Sequence, residues 1–328
     1  MGFTELNSVE HYIIHQLSGV NLNKESIAEP KSFYSVEWQY QSPEQLGRGV
    51  NEVMIETQVI EALLRLNPEI ASKPELAEEV IYKLRAILIS VNQVGLIKAN
   101  EEFFKWLTGE KTMPFGENNH HVPVRLIDFD DLTHNQYIVT NQFRIHHRET
   151  KIPDVVFIIN GIPVVVGEAK TPIRPSVSWL DGAHEVHNIY ENAVPQLFVP
   201  NILSFATEGK ELFYGAIRCP LEFWAPWRVE DDEDKIAKSL GLGEVGKELT
   251  DLLKPARLLD IMSNFSLFTT NKKKQRIKVI PRFQQYEGAN KIVQRVIEGR
   301  IKKGLIWHFQ GSGKSLLMVF AAQKLRRE

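Results

Sequence analysis

The sequence has one cysteine, Cys219, so no disulfide can form within the chain. A single thiol fits a reducing, cytoplasmic setting. No run of about 18 apolar residues occurs, so no membrane-spanning helix and no membrane partner are expected. The opening stretch, MGFTELNSVEHYIIHQL, carries acidic side chains and no long apolar core, and no export signal is expected there. Neither sign of charge dominates: 39 Lys and Arg stand against 41 Asp and Glu. That balance neither requires nor forbids a nucleic-acid partner, because a DNA surface needs only a local excess of positive charge. Internal repeats and low-complexity tracts are also missing, which argues against a solenoid or an extended linker. What remains is a globular chain of 328 residues, with 43% hydrophobic content and room for about two domains.

Between Asn51 and Leu66, the residues Val53, Ile55, Val59, Ile60, Leu63 and Leu64 recur at helical spacing, and Asn67-Pro68 stops the run. A second helix is expected after Pro74 and through the nineties, with Leu84, Ile87, Leu88 and Val91 on one face. The texture then changes. VRLIDFDD (124–131), QYIVTNQFRIHH (136–147), PDVVFIIN (153–160) and IPVVVGEAK (162–170) are short β-branched runs between turn residues and predict strands. Residues 229–260 are charged and then helical. GLIWHF (304–309) predicts a strand, QGSGKS (310–315) a loop, and the residues after it a helix. The pattern predicts an α/β fold in two parts, residues 1–250 and residues 251–328.

Charged residues gather where the hairpin of PDVVFIIN and IPVVVGEAK closes. Glu168 and Lys170 are two apart on a strand, so they share a face. A carboxylate and a lysine on one face can hold a metal and orient a water, and Asp154 is the natural second carboxylate. Mg²⁺ prefers oxygen ligands and takes one or two carboxylates plus waters and substrate phosphate. The same three residues also suit a plain ion pair beside a strand-start acid. Register separates the two cases. With a strict two-residue loop at Asn160-Gly161, Asp154 would oppose Gly167 and point away from Glu168. Convergence therefore predicts a bulge or a longer loop near 160–163, where Pro163 lacks an amide donor.

An acid after proline, then Glu-x-Lys across a hairpin, resembles the PD-(D/E)xK nuclease superfamily. The resemblance implies that Asp154 and Glu168 bind metal and that Lys170 is the catalytic lysine. It also implies an acid on an earlier helix, where Glu56 is the best match and Glu61 the rival. Many such nucleases carry a Q-x-x-x-Y motif after the lysine. Tyr190 fits its tyrosine, but Val186 stands at the glutamine position, with His187 beside it.

QGSGKS lies between an apolar run and an apolar helix, the setting of a phosphate-binding loop. Gly311, Ser312 and Gly313 would bring backbone amides to phosphates, Lys314 would reach the β- and γ-phosphates of ATP, and the Ser315 hydroxyl would ligate Mg²⁺. The first glycine of the strict pattern is replaced by His308. Helicases of superfamily 2 tolerate that loss. Their resemblance also implies an adenine-binding glutamine upstream, Gln285 or its neighbour Gln284. The sequence stops soon after Ser315, so an incomplete motor is expected.

A nuclease hairpin followed by such a loop resembles the restriction subunit of type I restriction-modification enzymes. ALLRLNP (62–68), NAVPQLFVPN (192–201), ARLLDIMSNFSLF (256–268) and WHFQGSGKS (307–315) add to the resemblance, which covers most of residues 50–328. It implies a restriction-endonuclease-like mixed sheet flanked by helices, then the start of a RecA-like motor. It further implies an ATP-dependent, site-specific deoxyribonuclease acting on double-stranded DNA beside methyltransferase and specificity subunits. Lys272, Lys273, Lys274, Arg276 and Lys278 are expected either to contact DNA phosphates or to form a solvated linker face. Two other readings fit the same residues: a nucleotide-binding translocase whose hairpin is only a scaffold, and a nuclease–helicase fusion of repair or defence.

Overall fold

The computed structural model describes residues 5–22, 36–171, 176–229, 244–300, 303–307 and 310–327. A seven-stranded mixed sheet forms its centre, and the spatial order of the strands follows the chain. Strand β1 (Gln39–Tyr40) lies parallel to β2 (Tyr137–Asn141). Antiparallel pairing then joins β2 to β3 (Val155–Ile159) and β3 to β4 (Ile162–Ala169). β5 (Leu203–Thr207) lies parallel to β4. β6 (Leu212–Gly215) and β7 (Ala225–Pro226) complete the sheet in antiparallel order. The inner strands β2 to β5 are buried along their whole length. This explains why their sequences are near-continuous apolar runs rather than alternating ones.

Helices cover the sheet. They are α1 (Glu5–Ser18), α2 (Glu56–Leu66), α3 (Leu76–Val94) and α4 (Leu96–Leu107). α2 starts only at Glu56, because the Ile55 amide donates to the Gly161 carbonyl (2.8 Å) instead of continuing a helix. Gly95, at φ +83°, divides the predicted second helix into α3 and α4. After β4 comes α5 (Trp179–His184), continued by a π-helical turn (Glu185–Tyr190) and a last turn (Glu191–Ala193). The charged-then-helical region contains α6 (Glu244–Leu252) and α7 (Pro255–Asn264), while residues 230–243 lie outside the described residues. A hairpin of β8 (Leu267–Thr270) and β9 (Arg276–Val279) follows, then α8 (Phe283–Glu298) and α9 (Lys314–Leu325). Two hydrogen bonds tie the later elements to the earlier ones: Trp38 Nε1 to the Leu253 carbonyl (2.6 Å), and Tyr214 Oη to the Pro281 carbonyl (2.6 Å).

Two strand expectations fail. Residues 124–131 form bends. Asp128 Oδ1 accepts from the amides of Asp130 (2.9 Å) and Asp131 (3.0 Å), and Asn135 brackets Asp128 from its own side chain. These local bonds replace the ladder that a strand needs. Residues 303–307 are not a strand either, and Leu305 and Trp307 are 86% and 89% exposed. Among the described residues no strand pairs with them. His308 and Phe309 lie outside the described residues.

Candidate active site

The β3–β4 hairpin turns at Asn160 (φ +49°) and Gly161 (φ +79°), both left-handed, as a two-residue type I′ turn requires. A Cβ at Gly161 would lie 2.5 Å from the Ile55 carbonyl, so glycine is also needed for helix α2 to dock there. Ile159 pairs with Ile162 and Ile158 with Pro163. The register then slips by one, Phe157 pairs with Val165, and Val164 is left as a bulge. Its carbonyl is used elsewhere, accepting from the Ile202 amide (2.7 Å). Beyond Val155 and Gly167, the shifted register brings Asp154 level with Glu168. The expected irregularity is therefore present beside Pro163, with the loop itself kept at two residues.

Three side chains meet at that end of the hairpin. Asp154 Oδ2 accepts from the Ala169 amide (2.9 Å). Glu168 Oε1 accepts from Lys170 Nζ (2.8 Å), while Glu168 Oε2 is buried with no partner. Glu168 is 2% exposed. Two glycines make this depth possible. A Cβ on Gly167 would overlap the Phe205 ring, and Gly182 lets α5 lie against Glu168 and Ala206. Burial, and then the neighbouring Asp154 charge, push Glu168 well above the usual carboxylate range. Burial raises Asp154 as well. Burial alone would lower Lys170, but Glu168 and Glu185 outweigh it and hold the ammonium above the usual lysine range.

Two carboxylates and an unsatisfied buried oxygen are costly unless a cation or a proton joins them. The donor set fits Mg²⁺, which asks for one or two carboxylates and fills its other positions with water and phosphate. Among the described residues no group of three or more His, Cys, Asp or Glu side chains is placed to hold a metal ion, so a cation here would depend on water and phosphate for its remaining ligands.

Neither acid expected on the earlier helix is placed beside the cluster. Glu56 lies at the turn end of the hairpin, paired with Arg85 through Nε (2.5 Å) and Nη2, and Glu61 is exposed on α2. The acid that lies near Asp154 is Glu10 of α1. It is 1% exposed and accepts from Asn141 Nδ2 (2.6 Å) and Gln142 Nε2 (2.8 Å). The same Gln142 amide reaches Asp154 Oδ1 at 3.4 Å. Burial pushes the Glu10 carboxyl up to about 7. One sequence signal could have found it: Glu10 lies three and four residues before the buried Ile13 and Ile14, so it is an acid on an apolar helix face. Tyr190 does reach the cluster, donating to Glu185 Oε1 (2.9 Å) and lying 3.4 Å from Glu168 Oε1. Val186 is fully buried, and His187 faces Glu191 at 3.7 Å rather than the cluster.

At the second site, Gly311 and Gly313 adopt φ of +87° and +81°, and α9 begins at Lys314. The buried Ser312 Oγ has no partner. Gln285 is buried against this loop, with Nε2 at 3.3 Å from both the Ser312 and Gly313 carbonyls and Oε1 accepting from the Arg282 amide. A Cβ at Gly313 would overlap that amide group. Gln284 is exposed. A cavity of about 760 Å³, lined in part by Arg282, Gln285, Ser312 and Gly313, opens beside the loop. The orphaned hydroxyl, the left-handed glycines and the helix start fit a bound phosphate. The residues of the basic stretch do not share one environment. Arg276 pairs with Glu101, and Lys278 is buried, donating to the Asn201 carbonyl (2.6 Å) between the Phe104 and Phe268 rings. Lys272, Lys273 and Lys274 remain at the surface.

Residues 26–222, which include the whole hairpin site except Glu10, match the family described as the type I restriction enzyme R protein N terminus. The chain belongs to that family. Residues 284–328, with the phosphate loop, match the SWI2/SNF2 ATPase family. Among curated R-protein relatives, the type I restriction enzyme HindI endonuclease subunit of Haemophilus influenzae is 31% identical over 309 residues. That alignment covers 89% of this chain and 28% of the relative. A Methanocaldococcus jannaschii protein, provisionally named the type I restriction enzyme MjaVIIIP endonuclease subunit, is 30% identical over 212 residues. There the alignment covers 62% of this chain and 20% of the relative. The chain thus spans less than a third of the length of these R-protein relatives.

Proposed function

We propose that the chain is the nuclease part, and the start of the motor part, of the endonuclease subunit of a type I restriction-modification system. Residues 1–250 would form the nuclease and residues 251–328 the linker and first motor segment. The reaction is hydrolysis of a phosphodiester bond in double-stranded DNA, coupled in the full-length protein to ATP-driven translocation. Methyltransferase and specificity subunits would supply the recognition of sequence.

The observation that carries this reading is the Val164 bulge, which turns Asp154 toward Glu168 and Lys170 at a buried oxygen without a partner. Asp154 and Glu168 would hold Mg²⁺, with the Ala169 carbonyl nearby. When bound, the ion supplies a Lewis acid for charge developing on the phosphate and a water of lowered pKa. Glu168 and Glu185 favour the charged form of Lys170, which suits it to donate hydrogen bonds. Its task is to orient the attacking water and to offset negative charge. Glu10 supports Asp154 through the shared Gln142 amide. At the second site Gly311 to Ser315 would cradle the phosphates of ATP, and Gln285 braces the loop.

The test is DNA cleavage by the full-length subunit, assembled with its partners, in Mg²⁺ and ATP. Lys170→Ala is expected to abolish cutting and keep ATP hydrolysis, and Lys314→Ala to lose both. Cutting at the wild-type rate by Lys170→Ala would show that the hairpin is not the nuclease site.

A further inference from the structure

The helical segment after the hairpin contains one turn of unusual pitch. From Glu185 to Tyr190 the backbone is π-helical, and the Glu191 amide donates to the Val186 carbonyl, five residues back. Single π-turns of this kind often mark functional sites. In an α-helix the partner of Tyr190 on the same face would be Val186, four residues earlier. The wider turn changes that register. Val186 goes into the core, and Glu185 comes round to face Tyr190 and Lys170.

The carboxylate of Glu185 is used on both oxygens. Oε1 accepts from Tyr190 Oη (2.9 Å), and Oε2 accepts from Lys170 Nζ (2.5 Å). Lys170 thus lies between two acids, Glu168 at 2.8 Å and Glu185 at 2.5 Å. Without Glu185 the ammonium would have Glu168 as its sole carboxylate partner among these contacts. A tight pair of that kind would compete with any cation for Glu168. With Glu185 present, Lys170 keeps a charged partner when Glu168 turns to a metal, and Tyr190 fixes the angle from which Glu185 reaches it.

We infer that Glu185 is the positioning residue for Lys170, sharing the ammonium with Glu168 Oε1 so that Glu168 Oε2 stays open to a divalent cation. This rests on the nuclease reading of the hairpin. The π-turn is the device that delivers it, and His187, the neighbour singled out from sequence, has no part in it.

The test uses the full-length subunit in its complex. Glu185→Ala is expected to slow single-turnover cleavage by about 10–100-fold, the usual cost of losing a residue that orients a metal-site group. It should also raise the Mg²⁺ concentration needed for half the maximal rate, with KM for DNA and ATP hydrolysis unchanged. Glu185→Gln, which keeps an acceptor at the position, should recover most of the rate. Calorimetry with Ca²⁺, without nucleotide, gives a readout apart from activity. Glu185→Ala should weaken Ca²⁺ binding, and by less in a Lys170→Ala background, where no ammonium competes. Wild-type cleavage and Ca²⁺ affinity in Glu185→Ala, with Lys170→Ala inactive, would overturn the role of Glu185 alone. Wild-type cleavage in Lys170→Ala would overturn both readings.

Discussion

Replacing Glu10 with Gln should make the metal-free protein more stable at pH 8 and slightly less stable at pH 4. Glu10 is 1% exposed, and folding raises its carboxyl from 4.5 to about 7. A folded state with a raised carboxyl holds its proton where the unfolded chain has released it. Stability is therefore full below about pH 4.5, falls between there and pH 7, and stays low above. At about 1.4 kcal/mol per pH unit the penalty reaches ~3 kcal/mol. Gln cannot ionise, so it escapes that term. It offers one acceptor where the carboxylate offers two, so either the Asn141 or the Gln142 amide loses a bond or turns over, at about 1 kcal/mol. The expected net gain at pH 8 is ~1–2 kcal/mol. The assay is urea unfolding in chelator at pH 4, 6 and 8, comparing the variant with the wild type. Asp154 and Glu168 titrate in both proteins and cancel from the difference to first order. Curves that stay parallel across the window would refute the burial argument. Added Mg²⁺ should shrink the gap, because a cation beside Asp154 also favours ionised Glu10.

Asn160→Ala should cost ~2–4 kcal/mol in urea or thermal unfolding, because it removes a buried hub. Its side chain accepts from the Gln136 amide (2.8 Å) and donates to the Leu126 carbonyl (2.8 Å) and to Asn135 Oδ1 (2.9 Å). Lys278→Met should flatten the rise in stability between pH 7 and 10. Burial lowers that ammonium to about 7, so the wild type is destabilised while the lysine is charged in the unfolded chain and is relieved as pH climbs. The Asn201 carbonyl and two aromatic faces favour the ammonium, so the expected effect at pH 7 is on the order of 2 kcal/mol, measured as the difference between the two pH profiles.

The hairpin was legible because its chemistry is local. Asp154, Glu168 and Lys170 lie within 17 positions of one another in the sequence, and a period-two argument says where an extra residue must fall. Glu10 was not legible as a partner, since 144 positions separate it from Asp154 and only the packing of α1 on the sheet joins them. Glu185 was hidden by a different cause. Helical spacing assumes 3.6 residues per turn, and one π-turn is enough to move the facing residue from Val186 to its neighbour. VRLIDFDD has the β-branched and aromatic content of a strand, yet Asp128 satisfies nearby amides with its own side chain. GLIWHF has strand composition as well, but a ladder is a property of two segments, and composition reports on one.

Because each strand of the central sheet lies beside the sheet's next strand in the chain, its pairings can form in the order of synthesis. From β2 to β4 and from β5 to β7 the closing loops are short, whereas residues 41–136 separate β1 from β2 and residues 170–202 separate β4 from β5, so those two parallel pairings close the costlier loops. On the ribosome, the hairpin can close before the phosphate loop has been translated. On the function proposed above, a cutting site would then be assembled ahead of its motor, and a cell making such a chain would depend on something other than folding order to keep the early product idle.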